Sequence, residues 1–317
     1  MYAKRPRVAE PFRGSTGLLS EVGDTPLISL TDAVRRLVPE IPAGVQVLAK
    51  CEWFNPGGSV KDRPALSMVL AAERSGALRP GMTLLDASSG NTGIAYAMVA
   101  AARGYQLALC LPKNANAERR QLLAAYGARI IDTDPLEGSD GAIRAARALS
   151  ASDPDLVYLD QYSNPANWQA HFQSTGPEIL GQSQGSISHF VAVVGTGGTF
   201  TGVGRFLRRA KPEIQLVEVQ PDSPFHGLEG MKFMETSIVP PIWDSQLADR
   251  RIGAPTEESL AWVRHLASEG VLIGPSGGAA LWAAVEVAKG LEGGTVVTVL
   301  PDSGTRYLSE PHIWSAP

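Results

Sequence analysis

The stretch 82-MTLLDASSGNTGIAYAMVAAARGYQLALCLP-112 reads as strand, turn, helix and strand. MTLLDA and QLALCL are near-continuous apolar runs, the pattern left by parallel strands that are covered on both faces. NTGIAYAMVAAARG between them is long enough for the helical crossover that parallel neighbours need, and such crossovers are right-handed.

The alternation continues on both sides. VQVLAKC precedes SVKDRPALSMVLAAERSG; NAERRQLLAAYG, RIIDTD and SDGAIRAARALSA follow. A second series runs through FVAVVG, TFTGVGRFLRRA, IQLVEVQ, TEESLAWVRHLASEG, VLIG, GGAALWAAVEVAKGL and TVVTVL. The expected fold class is therefore α/β, with two α/β domains of mostly parallel sheet flanked by helices. Between 160 and 185 the pattern turns polar and aromatic (DQYSNPANWQAHFQSTGPEIL), which marks a junction. The expected organisation is a smaller, mobile N-terminal domain over 45–162 and a C-terminal domain over 163–317, with 14–44 packed onto the latter. A site in the cleft between them is expected. The stretch 221-PDSPFHGLEGMKFMETSIVPPIWD-244 has no clean period and reads as a functional loop or lid.

Bulk properties narrow the function classes. With 317 residues, 44% apolar, 19% charged and a formal net charge of -4, the chain needs no staples and shows no nucleic-acid footprint. The basic N-terminus MYAKRPRVAEPFRGS is followed by no apolar signal core, and no apolar run approaches a membrane span, so a cytoplasmic protein acting on small molecules is expected. Cys51 and Cys110 sit in strand-like runs and read as buried free thiols, and the five histidines lack metal-ligand spacing.

Four turns carry chemistry. In 55-NPGGSVKDRPA-65, Ser59 and Asp62 fit a capping box that starts a helix near Val60 and puts Lys61 at its N-terminus. A solvated surface charge and an aimed amine fit that position equally. In 195-GTGGT-199 a glycine-rich turn opens a helix, whose free N–H groups suit a single phosphate better than a dinucleotide, since Phe200 stands where the last glycine of that fingerprint belongs. In 88-SSGNTG-93 the serines, threonine and backbone suit a carboxylate, and Asn91 a ring hydroxyl, although a plain helix cap reads the same way. In 273-IGPSGGAALWAAV-285, Gly274, Ser276 and Gly278 imitate a nucleophile elbow, with Asp302 and His312 following in hydrolase order; only one clear strand remains after it, so the serine hydrolase is the remote alternative.

A phosphate turn, a lysine, an asparagine and a serine together meet the needs of pyridoxal 5'-phosphate. From GDTPL near Gly23 to LPDSGTRYL near Leu308, the chain resembles the cysteine synthase (O-acetylserine sulfhydrylase) family of fold-type II, tryptophan synthase β-like enzymes. NPGGSVKDR, SSGNTG, QYSNPAN, GTGGT and PSGGAA stand in that family's order, and HGLEGMKFMETSIVP looks like its B-type branch. The resemblance implies that Lys61 forms the Schiff base and Asn91 meets the ring hydroxyl. It implies that Gly195, Thr196, Gly197, Gly198 and Thr199 hold the phosphate and that Ser276 meets the pyridine nitrogen. Ser88, Ser89, Gly90, Thr92 and Gln161 would then bind the substrate's carboxylate. Because a serine does not hold the ring nitrogen protonated, β-elimination and replacement are favoured over transamination.

The implied reaction makes L-cysteine from O-acetyl-L-serine or O-phospho-L-serine and a sulfide source, through an α-aminoacrylate. Cystathionine β-synthase and serine or threonine dehydratase activities are the alternatives, and a ligand-binding relative without turnover is a third class. The resemblance also implies a homodimer, and leaves serine acetyltransferase or a sulfur-carrier protein open as partners. A phosphate leaving group would call for an arginine, and the lid offers only Lys232 before Arg250, which favours O-acetylserine.

Overall fold

The computed structural model describes Phe12 and residues 14–88, 90–115 and 117–315. Its strands are β1 Leu27–Ser29, β2 Val45–Cys51, β3 Thr83–Ala87, β4 Gln106–Pro112, β5 Arg129–Thr133, β6 Leu156–Tyr158, β7 Ile187–Val193, β8 Gln215–Pro221, β9 Arg250–Ala254 and β10 Gly294–Leu300. The first helices are α1 Thr31–Leu37, α2 Asp62–Arg74, α3 Asn91–Arg103, α4 Ala117–Ala125 and α5 Gly138–Ser152. Beyond them lie α6 Pro165–Ala170, α7 Gly176–Gln182, α8 Gly198–Ala210, α9 Thr256–Ser268, α10 Pro275–Lys289 and α11 Pro311–Trp314. None of the described helices is long and apolar enough to cross a membrane.

Two sheets form. One has six strands in the order β1-β2-β10-β7-β8-β9, the other four in the order β5-β4-β3-β6. Every pairing is parallel except that of β1 with β2. Apolar clusters fill both faces of each sheet, as their unbroken Val/Leu/Ile runs require. On the large sheet, α10 is apolar on nearly every side and is buried accordingly, from Pro275 through Ala288.

The larger sheet takes in one strand that the sequence pattern assigns elsewhere. Val45–Cys51 pairs along its whole length with Gly294–Leu300, so β2 belongs with the C-terminal strands, and the four-stranded sheet is drawn from Thr83–Tyr158 alone. A boundary at 45 therefore does not coincide with the division between sheets; the partner strand lies some 250 residues away, where local periodicity cannot reveal it. VLIG, expected as a strand, makes only the single bridge Ile273↔Ser303 before the chain turns into α10. The segment from 160 to 185 does join β6 of the small sheet to β7 of the large one, through α6, a π-helical turn at His171–Thr175, and α7.

Beneath α2 lies a buried ionic cluster. The Arg63 guanidinium is fully buried and bonds to Glu52 through Nε (2.7 Å) and Nη2 (2.9 Å), and to Glu178 through Nη1 (2.6 Å) and Nη2 (2.7 Å). It also donates to Ser174 (3.0 Å) and Thr25 (3.1 Å), while Lys50 Nζ stands 2.7 Å from Glu178. Burial by itself would raise the Glu178 carboxyl; Arg63 and Lys50 overcome it and hold the group down to about 2. The cluster links the start of α2 to β2 and α7, so that helix is fixed to the large sheet.

Candidate active site

Strands β2, β3, β7 and β10 end on one side, and the turns after them open onto a cavity of about 310 Å³. Ligand sites of open α/β sheets lie in such crevices at strand C-termini. Lys61, Ser88, Gly90, Asn91, Thr92, Gln161, Gly195, Thr196, Gly197, Gly198, Thr199 and Ser276 all line it. Ser89 lies outside the described residues.

Four helices begin at this cavity. Lys61 is the N-cap of α2, Asn91 the first residue of α3, Gly198 the first of α8 and Ser276 the second of α10. Their unsatisfied N–H groups and dipoles make the cavity a place for anions.

The lysine turn departs from the expected capping box. The helix starts at Asp62, two residues later than predicted, because the Asp62 carboxylate reaches back to Gly57 N–H (2.5 Å), while Ser59 Oγ accepts from Lys61 N–H (3.2 Å). Gly58 takes φ 78°, a conformation costly to any other residue, and swings the chain so that Lys61 faces inward. Lys61 is partly buried; loss of water lowers its pKa, against the opposing pull of Asp302 and Glu52. The helix start acts in the same direction on an amine as burial does.

The turn 195–199 leaves no room for a side chain at Gly195 or Gly198. A Cβ at Gly195 would run into the Gly230 carbonyl, and one at Gly198 into Asn167 Oδ1. No side chain caps α8; the Gly198 N–H leans on Thr196 Oγ1 at 3.3 Å. Thr199 Oγ1 is held at 3.3 Å by His171 Nε2, whose other nitrogen meets Thr175 Oγ1 at 2.9 Å. Burial, with Arg63 nearby, pushes the His171 pKa down to about 3, so its ring is neutral and orients the threonine. Periodicity offers no hint of His171; only its place at the start of the π turn that follows α6 brings it here.

At α3, Ser88 Oγ accepts from Gly90 N–H (3.3 Å) and Gly93 N–H (3.1 Å), so it caps the helix and keeps its own proton to donate. Thr92 donates to Gln161 Oε1 (2.9 Å), and Gln161 Nε2 to the Ala87 carbonyl (2.8 Å). Ser276 is 5% exposed and its hydroxyl makes no hydrogen bond to any described residue. The hydrolase constellation does not assemble: Asp302 pairs with Asn91 and Tyr307, and His312 is exposed beside Glu310.

Two cations that the sequence left unremarked or set aside also reach the cavity. Arg119 of α4 pairs with Glu229 of the lid, and Lys232 of the lid lies 3.1 Å from Asp140 of α5 and 5.0 Å from the Tyr162 ring centre. Both pairs tie the 222–244 loop to the unit built on the four-stranded sheet. Arg119 stands on α4, far along the chain from the 222–244 loop that it meets.

A glycine-rich turn that opens α8, a lysine at the head of α2 whose pKa burial lowers, and a serine in the first turn of α10, all lining one cavity, fit pyridoxal 5'-phosphate, and they define a PLP-dependent enzyme of fold-type II. The chain belongs to the pyridoxal-phosphate dependent enzyme family, whose model matches residues 18–302. It is 51% identical over 308 residues to "Cysteine synthase" of Aquifex aeolicus, covering 95% of this chain and 93% of that one. It is 43% identical to "Cysteine synthase B" of Pseudomonas aeruginosa, covering 91% and 94%. Among solved structures, O-acetyl serine sulfhydrylase isoform 3 from Entamoeba histolytica superposes with a TM-score of 0.89 at 31% identity, covering 100% of this chain and 95% of that one. An O-ureido-L-serine synthase superposes with a TM-score of 0.85 at 37% identity, covering 93% and 94%.

Proposed function

We propose that this chain forms L-cysteine by β-replacement, exchanging the acetate of O-acetyl-L-serine, or the phosphate of O-phospho-L-serine, for sulfur supplied as sulfide. The observation that carries the reading is the convergence of Lys61 with three further helix N-termini on one cavity, in a chain that matches cysteine synthases along nearly its whole length. When bound, pyridoxal phosphate supplies an electron sink conjugated to the α-carbon of the amino acid.

The chain's own residues do the rest. The first turn of α8, with Thr196 and Thr199, holds the phosphate. Lys61 would hold the cofactor through its amine, and its Nζ would serve as the base that takes the α-proton and later returns one. The lowered pKa of Lys61 leaves more of its amine unprotonated and so able to act as a base. The start of α3, with Ser88, Ser89, Gly90, Thr92 and Gln161, takes the substrate carboxylate. Asn91 would donate to the ring oxygen, and Ser276 would meet the ring nitrogen with a neutral hydroxyl. Closure of the unit built on the four-stranded sheet, with the lid, excludes water from the reacting carbon.

Arg119 and Lys232 give a phosphate leaving group two cations, so both donors stay within the proposal. The enzyme works as a cytoplasmic homodimer, and a light-scattering mass of one chain would refute the dimer.

Purified protein is expected to be yellow. O-acetyl-L-serine should shift its visible band and sulfide should restore it, and borohydride should fix the cofactor on the peptide that contains Lys61. Protein that stays colourless after incubation with pyridoxal phosphate overturns the proposal. Restoration by homocysteine far better than by sulfide would replace it with cystathionine synthesis.

A further inference from the structure

The segment after β10, 301-PDSGTRY-307, contributes no residue to the cofactor site expected from sequence, yet two of its side chains grip Asn91 from opposite ends. Asn91 Nδ2 donates to Asp302 Oδ2 at 2.6 Å, and Asn91 Oδ1 accepts from Arg306 Nη1. We infer that Asp302 and Arg306 are positioning residues that fix the orientation of the Asn91 amide, so that it presents an N–H, and never its carbonyl, to the cavity. The inference rests on the proposal that Asn91 meets the cofactor's ring oxygen.

The chemistry follows from what each group is able to do. The two ends of an amide have nearly the same shape, so only their partners decide which way it faces. Asp302 Oδ2 accepts from Tyr307 OH and so stands as an acceptor toward Asn91 as well, while a guanidinium only donates, so the two contacts select the same orientation independently. With one N–H spent on Asp302 and the oxygen spent on Arg306, the remaining N–H is what Asn91 has to offer. Such a donor favours an anionic ring oxygen, and a reversed amide would set its carbonyl against that charge.

The surroundings are shaped for both side chains. Asp302 is fully buried; its Oδ2 takes a second hydrogen bond from Tyr307 OH at 2.6 Å, and its backbone bridges to Ser59. A Cβ at Gly274 would collide with Asp302 Oδ1. Arg306 also bonds to the Gly57 carbonyl, and a Cβ at Gly58 would come within 2.7 Å of its Nη2. Glycines of the lysine turn and of the Ser276 turn thus leave space for the two residues that hold Asn91. The clamp joins three of the cavity's turns: the backbone of 57–59, the start of α3, and the end of β10.

The test is a double-mutant cycle on cofactor binding. Apoenzyme of the native chain, Asp302→Ala, Arg306→Met, Asn91→Ala and the two doubles carrying Asn91→Ala is titrated with pyridoxal phosphate, following the visible band and its affinity. Asp302→Ala and Arg306→Met should each weaken binding about tenfold, the worth of a hydrogen bond to a charged group, and shift the band. In the Asn91→Ala background the same changes should have almost no further effect. Losses that persist undiminished there overturn the clamp while leaving the role of Asn91 intact. An Asn91→Ala protein with native affinity and band instead removes Asn91 from the cofactor, and the inference falls with that premise. Asp302→Asn, which keeps the shape and weakens the acceptor, replaces the alanine variant if that one does not fold; it should give a smaller loss that also vanishes without Asn91, and an undiminished one refutes the clamp.

Discussion

Replacing Arg63 by methionine should be among the most damaging single changes outside the cavity. The substitution keeps an unbranched apolar stem but deletes all six hydrogen bonds of the guanidinium, to Glu52, Glu178, Ser174 and Thr25. Glu178 keeps Lys50 and the Asp24 N–H, and Glu52 keeps the Thr25 hydroxyl and Asn55, so neither carboxylate is abandoned, yet both stay buried with less positive charge than they need. Breaking a buried pair from one side costs about 3–5 kcal/mol. At about 2 cal/mol/K of unfolding entropy per residue, 317 residues convert this into a midpoint lower by roughly 4–8 °C. The pH response has a defined sign. The Glu178 carboxyl lies below its unfolded value of 4.5, so its contribution is complete above about 4.5 and is lost as the pH falls toward about 2. Without Arg63 the carboxyl rises, and the loss should begin at higher pH. Melting curves followed by circular dichroism from pH 3 to 8 measure both effects. Adding Glu52→Gln and Glu178→Gln should restore part of the loss by removing the uncompensated charge. A midpoint within 1 °C of native, or additive losses in the combined variant, would refute the account.

Three further outcomes are expected. Gly198→Ala sets a methyl against Asn167 Oδ1 at the head of α8 and should weaken pyridoxal phosphate binding at least tenfold, measured by titration of apoenzyme, with little change in circular dichroism. Burial, with Glu52 assisting, raises the Cys51 thiol to about 12, and burial with Asp86 raises Cys110 to about 11; a thiol-specific chromogenic reagent at pH 7.5 should therefore find no rapidly reacting thiol in native protein and two after denaturation. His171 is neutral throughout the working range, so His171→Asn should loosen the cofactor a few-fold through Thr199 yet leave the pH profile of turnover without a displaced limb between pH 5 and 8.

The parts of the site that the sequence shows are those formed by contiguous residues. GTGGT announces a helix start free of side chains, and NPGGSVKDR announces a turned lysine, because the glycines and the residue they aim stand side by side. The strands and helices around 82–112 are legible for the same reason. What stays hidden are partnerships made across the chain. Strand β2 finds β10, Arg63 finds Glu178, Asn91 finds Asp302 and Arg306, and Arg119 reaches the lid; each pairing is settled by how the sheets stack, and no local period reports it. The start of α2 falls two residues beyond the expected one because the Asp62 carboxylate turns back to Gly57 instead of to Ser59, a choice between two nearby N–H groups that composition does not decide.

The tight seating of Gly195 under the Gly230 carbonyl and of Gly198 against Asn167 bears on how an enzyme of this design changes over evolutionary time. Where Gly195 meets the Gly230 carbonyl and Gly198 meets Asn167 Oδ1, even one added methyl must displace a neighbour, so this glycine floor offers selection almost no viable neighbours. Innovation is pushed to the longer side chains that line the same cavity, Arg119, Ser139, Glu229 and Lys232. A lineage shifting from one activated serine, or one sulfur nucleophile, to another would rewrite those few positions and inherit the floor unchanged.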